Sequence, residues 1–494
     1  MNKTIFLKAL LYLNLLFGAS TLLAQDKELS LSDALALSLS NSPLVKSVRY
    51  NFAAEQWRFK AEKALLLPQL GLNGQLPGFT RAINQIQQPD GSILFRPQSQ
   101  NFSAATLSLS QNLLHTGGTL SLNSGLSRID LFETTPDQNR IFWRAAPLFV
   151  QFSQPLFQIN RIRWNWEQQK IAMDQAQQNR TERIAELEFR VVQQYFDVCL
   201  AKIRYENALA NTANNDTIYK ISQGRFNVGK IAENELLQVE LGLMNARNEL
   251  ETNRLSLQNL EKELRMLLGL PTTGESYKVS LPTNIPIALI DPELAAQEAL
   301  QNRSDFKSLE LMENQARMNL RSAEISRRLT ADLNLSIGYN QTAPIISEAI
   351  TNLQSSQSAF VSLNVPIHNA GRNKALVEVS RNRLNATLTD IQYRKGEIEL
   401  EISNQIARIR QLYNSYIISA KADTIARKRY ELAKNRYLIG KTDITNLTIA
   451  QQEKDMALIN YVESLRAYWL AWYALRRSTL YDFERQQKLS ALYE

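Results

Sequence analysis

Two histidines, His115 and His368, and one cysteine, Cys199, carry all the imidazole and thiol chemistry in this 494-residue sequence. Zinc coordination or a Ser-His-Asp relay needs such groups clustered with partners. Neither histidine has a partner motif near it; both stand beside expected strand ends and read as structural. Cys199 falls at an apolar position of an expected helix and reads as a small core residue; alone, it forms no intrachain disulfide. There is no phosphate-cradling Gly-rich loop with Lys-Ser/Thr. Aspartate and glutamate are plentiful, but at the spacing of a helix surface. The sequence therefore predicts no enzyme, no cofactor and no metal site. What spacing does single out is a pair of turns, GRFNVGK at 224–230 and NRYLIGK at 435–441, whose closing glycines, Gly229 and Gly440, are 211 residues apart.

A second pair of segments repeats at that interval. FVQFSQPLF begins at Phe149 and FVSLNVPIH at Phe360, again 211 apart. Two unlike segments sharing one offset mean one structural unit made twice. Each unit runs from an alternating strand ending near Pro155 or Pro366, through a long polar helical stretch, to a Gly-marked turn and a second long helix. No proline lies between Pro155 and Pro271 or after Pro366, which favours long helices, since a proline inside one costs about 3 kcal/mol. Ile184, Leu187, Val191 and Val198 step by 3, 4 and 7, a coiled-coil seam. The 56 Lys+Arg against 48 Asp+Glu are interspersed and read as a solvated helical surface, with no nucleic-acid partner.

The predicted fold class is α+β and mostly α: long antiparallel helical hairpins with a set of membrane strands, in two internal repeats. Residues 1–24 read as a signal peptide, with Lys3 and Lys8 before an apolar run and a cleavage site at Leu22-Leu23-Ala24. Residues 25–270 form the first repeat, the proline-rich 271–290 a linker, 291–482 the second repeat and 483–494 a C-terminal tail. Short amphipathic helices over 29–39 and 291–301 open the repeats, with Ser32 or Asp33, Ser42 and Ser304 as expected caps. Strands are expected over 70–76, 106–113, 120–129, 147–156, 333–339 and 360–367, and exposed loops over 77–100, 130–140 and 340–358.

No further stretch reaches the ~20 apolar residues that a membrane helix needs. The strands alternate apolar residues with Ser, Thr, Asn and Gln, as a wall between lipid and a wet lumen requires. Six strands are too few for an open lumen, so the barrel must be shared between protomers. Phe102, Phe142, Trp143, Trp164, Trp166, Tyr339 and Phe360 are candidates for interfacial girdles.

On these motifs, RFNVGKIAENELLQVE and RYLIGKTDITNLTIAQ with the two strand-to-helix segments, the chain resembles the TolC-like outer-membrane efflux proteins over essentially 29–481. The resemblance implies a homotrimer: a β-barrel in outer-membrane lipid, continued by an α-helical barrel (α-barrel) across the periplasm. It implies a passive exit duct joined at its helical tip to a periplasmic adaptor and an inner-membrane pump, in tripartite efflux or type I secretion, with drugs, metal ions or proteins as cargo. Arg225, Phe226, Val228, Gly229, Glu235 and Leu236 match the first docking tip; Arg436, Tyr437, Ile439, Gly440 and Leu447 match the second. The pore constriction falls at Asp443, Asn446 and Ile449. Some members carry acidic residues just after the second tip glycine; here Asn446 and Ile449 hold those positions and Asp443 is offset. A typical member gives four strands per protomer, and Thr116-Gly117-Gly118 marks an additional hairpin, which either widens the barrel or folds outside the membrane. A secreted coiled-coil or adhesin-like protein without a pore is the rival reading; it leaves the alternating strands unexplained.

Overall fold

A computed structural model describes residues 27–132, 140–271, 277–282, 284–286 and 289–493; the expected signal peptide lies outside them. The elements, in chain order, are β1 (Lys27–Leu29), α1 (Leu31–Asn41), α2 (Pro43–Ala64), β2 (Gln69–Gln87), β3 (Ile93–Asn112), β4 (Thr119–Phe132), β5 (Arg140–Leu156), α3 (Arg161–Asn227), α4 (Glu233–Leu268) and β6 (Tyr277–Val279). Then come α5 (Pro292–Asn302), α6 (Ser304–Ile325), β7 (Thr330–Ala343), α7 (Ile346–Thr351), β8 (Gln354–Asn364), α8 (Arg372–Leu438), α9 (Ile444–Thr479), β9 (Tyr481–Asp482), β10 (Gln487–Lys488) and α10 (Leu489–Leu492). No described helix is long and apolar enough to cross a membrane.

The repeat holds residue by residue. α3 and α8 are each 67 residues long and start 211 apart, at Arg161 and Arg372. α4 and α9 are each 36 residues long and start 211 apart, at Glu233 and Ile444. Earlier in the repeats the interval is larger: α1 and α5 start 261 apart, at Leu31 and Pro292, and so do α2 and α6, at Pro43 and Ser304. The difference between 261 and 211 puts 50 additional residues into the strand region of the first repeat.

The chain forms two compact units, each drawing on both repeats. One holds residues up to Tyr50, Asn179–Arg303 and those from Glu397 on. Its core is the expected seam of α3 (Ile184, Leu187, Val191 and Val198), joined by Tyr195 and Phe196 of the same helix, Ile398, Ile402 and Ile406 of α8 and Val462, Leu465, Trp472 and Leu475 of α9, all buried. Arg476 sits among them between the carboxylates of Glu188 (3.5 Å) and Asp482 (3.3 Å). Strand β1 pairs in parallel with β6, and the buried Tyr195 hydroxyl reaches the carbonyls of Leu29 (2.7 Å) and Ser280 (2.6 Å) beside them. The cap of α1 is Ser30, earlier than expected: its Oγ accepts from the Asp33 amide at 3.1 Å. The Cys199 thiol is buried, which pushes its pKa up to about 12 against the pull of Lys202, so it stays protonated and inert.

The other unit holds Asn51–Gln178 and Ser304–Gly396. Its centre is a six-stranded antiparallel sheet in the order β2-β3-β4-β5-β7-β8. All six expected strands are there, but longer. The expected loop over 77–100 is instead strand on both sides of a turn at 88–92. The loop over 340–358 shrinks around α7. Of the 130–140 loop, 130–132 and Arg140 are strand and 133–139 lie outside the described residues. Paired residues in a sheet share a face, so the register sorts the side chains. One face carries Leu70 and Leu72 of β2, Leu107 and Leu109 of β3, Leu120 and Leu122 of β4, Val150 and Phe152 of β5, Leu335 and Ile337 of β7, and Val361 and Leu363 of β8. The opposite face carries mostly Ser, Thr, Asn, Gln and Gly over the same stretch, with Phe149, Phe360 and Asp332 among them, and is joined by Asn123–Gln151 (3.2 Å), Ser153–Asn334 (3.0 Å) and Ser336–Ser358 (2.7 Å) hydrogen bonds. Register shifts at 75–78, 123–125 and 145–148 mark where the apolar stripe ends.

Close approach fixes one glycine of this ladder. A Cβ on Gly338 would lie 2.4 Å from the Leu148 carbonyl oxygen and 2.5 Å from the Phe149 ring. Gly338→Val should therefore break the β5–β7 pairing, at a cost of about 3 kcal/mol, whereas Gly74→Val, with open space around it, should be tolerated; loss of folded protein on a detergent-extraction gel for the first and not the second is the expected result. A pH test bears on the other unit. Burial opposes ionisation of Glu186, but Arg477 (2.7 Å) and Arg190 (3.0 Å) donate to it and hold its carboxyl below the usual range. A depressed carboxylate stabilises above its unfolded pKa and loses that stability as pH falls through the folded value. Glu186→Gln should cost on the order of 1 kcal/mol at neutral pH and flatten the acid limb of a thermal-stability profile below about pH 4.5.

Candidate functional site

The two tips repeat one piece of backbone geometry. At the first, Gly229 (φ 69°) donates to the Phe226 carbonyl at 2.8 Å and Lys230 to the Arg225 carbonyl at 2.8 Å. At the second, Gly440 (φ 72°) donates to Tyr437 at 2.9 Å and Lys441 to Arg436 at 2.8 Å. This crossed pair of bonds closes a helix on a left-handed residue, which glycine adopts without a Cβ penalty. Helix α4 then starts after Ala232 with no side-chain cap, while α9 starts after Asp443, whose carboxylate accepts from the Asn446 amide at 2.8 Å. Asp443, expected at a pore constriction, is thus engaged as a helix cap; Asn446 and Ile449 are exposed beside it.

The tips are brought together by a small apolar core. Ile218 and Val239 of the first hairpin pack with Tyr430, Tyr437, Ile444 and Leu447 of the second. Tyr437 is 2% exposed; its hydroxyl lies 3.2 Å from Ser222 Oγ, and the Arg225 guanidinium stands over its ring at 5.3 Å. Burial also pushes the Tyr430 phenol pKa up, keeping it neutral beside Lys454 and Lys434. Among the expected docking residues, Tyr437 and Leu447 lie inside this core and Arg225 is half engaged by it. Phe226, Val228, Ile439 and Arg436 are exposed, and Glu235 and Leu236 are half-buried. Tyr430 and Ser222, which sequence reasoning missed, complete the tip; the signal for Tyr430 was its seven-residue step to Tyr437, two helical turns along one face.

The second candidate surface is the apolar stripe of the sheet. Its residues are largely exposed in the single chain: Leu72 is 72% exposed, Leu363 64% and Ile337 55%. A contiguous band of that size is not carried by a soluble monomer. Trp143 and Tyr339 share its face at one margin, where Arg128 stands over the Trp143 ring at 5.6 Å. Phe102, Phe142 and Phe360 sit within strands on the opposite, polar face, not in a girdle. Trp164 and Trp166 belong to the first turns of α3, where Trp166 stacks on Phe59 at 5.2 Å.

A lipid-banded sheet and long repeated helical hairpins define a channel protein of the outer-membrane type. The family model described as outer membrane efflux protein matches residues 143–270 and 295–479. The chain belongs to that family and so to the outer membrane. Among solved structures, the fold is similar to the Campylobacter jejuni CmeC outer membrane channel (14% identity, 92% of this chain and 86% of that one, TM-score 0.64). It is similar also to VceC from Vibrio cholerae (13%, 91% and 95%, 0.64) and to the open state of the Neisseria gonorrhoeae MtrE outer membrane channel (16%, 91% and 88%, 0.61). No curated protein matches the chain in sequence.

The tip glycines differ from Gly338 in having open space around them, so a substitution there costs backbone strain alone. Gly229→Ala and Gly440→Ala should each cost about 1 kcal/mol and speed hydrogen exchange at the Lys230 and Lys441 amides, leaving the sheet amides unchanged.

Proposed function

We propose that three copies of this chain form a passive exit duct, closed by strands in the outer membrane and by helices in the periplasm, and that its tips dock a periplasmic adaptor serving an inner-membrane pump. Family members are channels and not enzymes, and energy then comes from the partner pump. The observation that carries the reading is the pairing of an exposed apolar band with a largely polar face on one sheet, Leu107 and Leu109 alternating with Ser108 and Ser110. Such a sheet is stable with lipid on one side and water on the other. Cargo is proposed as small molecules, metal ions or secreted proteins, through tripartite efflux or type I secretion. The repeats are proposed as 25–270 and 291–482 about a 271–290 linker.

For docking, the exposed tip residues Phe226, Val228, Arg436 and Ile439, with Gly229 and Gly440 shaping the turns, form the proposed surface; Tyr437 and Leu447 support it from inside. Asn446 and Ile449 are proposed to narrow the pore without charge.

Extracted in mild detergent, the protein should cross-link to a trimer and carry adaptor and pump components with it. Val228→Asp combined with Ile439→Asp should keep the trimer while reducing adaptor recovery and export at least tenfold. A water-soluble monomer, or unchanged adaptor recovery in the double variant, would refute the duct or the docking surface respectively.

A further inference from the structure

Most of the 50 additional residues of the first repeat are the β3–β4 hairpin, Ile93–Phe132, which lies outside the two stretches matched by the family model. Three observations fix its place. First, it is laddered on both sides: β3 pairs with β2 from 69 to 87, and β4 with β5 from 119 to 131. Second, its apolar residues fall in register with those of the other four strands, Leu109 opposite Leu70 and Leu122, and Leu122 opposite Val150. Third, its base is bonded to the end of β5, the start of α3 and the residues just after α2. Asn160, which caps α3 by accepting from the Arg163 amide (2.9 Å), donates to the Leu114 carbonyl (2.8 Å). Gln154 donates to the Thr116 carbonyl (2.8 Å) and Asn112 to the Leu65 carbonyl (3.2 Å).

We infer that β3–β4 is membrane wall, and that β8 of one copy pairs antiparallel with β2 of a second copy, so that the trimer closes an eighteen-stranded barrel from three six-stranded sheets. The occupant of each sheet edge is a second copy because the geometry is head-to-tail. All five pairings are antiparallel, so β2 and β8, the two edges, run in opposite directions and present complementary ladders. An unpaired edge in hydrocarbon costs several kcal/mol per backbone group, and six strands alone enclose no lumen. Barrels of 16–18 strands leave an aqueous channel. Here its inner face over the apolar band bears Asn73, Ser108, Asn123, Gln151, Asn334 and Ser358, with Asp332 beside Ser362. The inference rests on the trimeric outer-membrane reading above.

The test is site-directed spin labelling of the full chain in lipid vesicles, in a Cys199→Ala background. Single cysteines replace Leu109 and Ser108 on β3, Leu122 and Ser121 on β4, and Val361 and Ser362 on β8 as the reference pair. On each strand the leucine or valine site should favour collision with oxygen and the serine site collision with a water-soluble nickel chelate. Alternation on β8 but not on β3 and β4 puts the hairpin outside the wall and overturns the inference while sparing the membrane reading. No alternation on any strand overturns both. For the unsubstituted protein, an electron cryo-microscopy map of the extracted trimer should show eighteen strands; twelve would overturn the inference.

Discussion

In hydrocarbon, a backbone N–H or C=O without a partner has no water to turn to, and the whole sheet is arranged around that fact. The ladder runs unbroken from β2 to β8 apart from three register shifts, all at one margin of the apolar band. Within the band, pairing and patterning agree: each strand offers apolar side chains on one face and mostly small polar ones on the other. A slip of one residue would turn Leu107 and Leu109 to the wet face and Ser108 to the apolar one. Asn160, Gln154 and Asn112 hold that register at the base of the hairpin by side-chain bonds to backbone carbonyls.

The helices meet a different requirement, which is to turn back tightly at the tips. Both repeats solve it with a glycine in the left-handed region and the same crossed hydrogen bonds, yet the surroundings of the two turns are unequal. Phe226 and Tyr437 are 211 apart, as are Leu236 and Leu447, but the second member of each pair is buried and the first is not. The second hairpin thus supplies four of the six core residues of the tip and the first only Ile218 and Val239. Sequence duplication kept the backbone, while packing divided the labour. Resemblance in a motif therefore does not say which copy faces outward.

Much of this was legible in the sequence, and the misses have a common cause. The 211-residue interval located both long hairpins, and the seam of Ile184, Leu187, Val191 and Val198 is core. All six strands were found where they cross the apolar band. Beyond it, the expected loop over 77–100 is strand. There both faces are wet, so alternation, the signal that marks a strand, has no reason to persist, though the hydrogen-bond ladder does. Helix α3 runs unbroken through the polar stretch at 211–216, because a helix with most of its surface in water needs only a narrow seam. Asp443 has a role that the sequence pattern did not show: its carboxylate caps α9 by accepting from the Asn446 amide at 2.8 Å.

The hairpin insertion shows why such a sheet can change width without disturbing the helices. Adding one strand would reverse the direction of every strand after it and deliver the chain to the wrong rim. Adding two preserves direction, so β5 still ends at Leu156 and α3 begins at Arg161, as β8 ends at Asn364 and α8 begins at Arg372. The interval between repeats accordingly returns to 211 from Phe149 onward and stays there to the ends of α4 and α9. Strand pairs are the natural unit of growth for an antiparallel wall that must hand its chain back to a helix at a fixed edge.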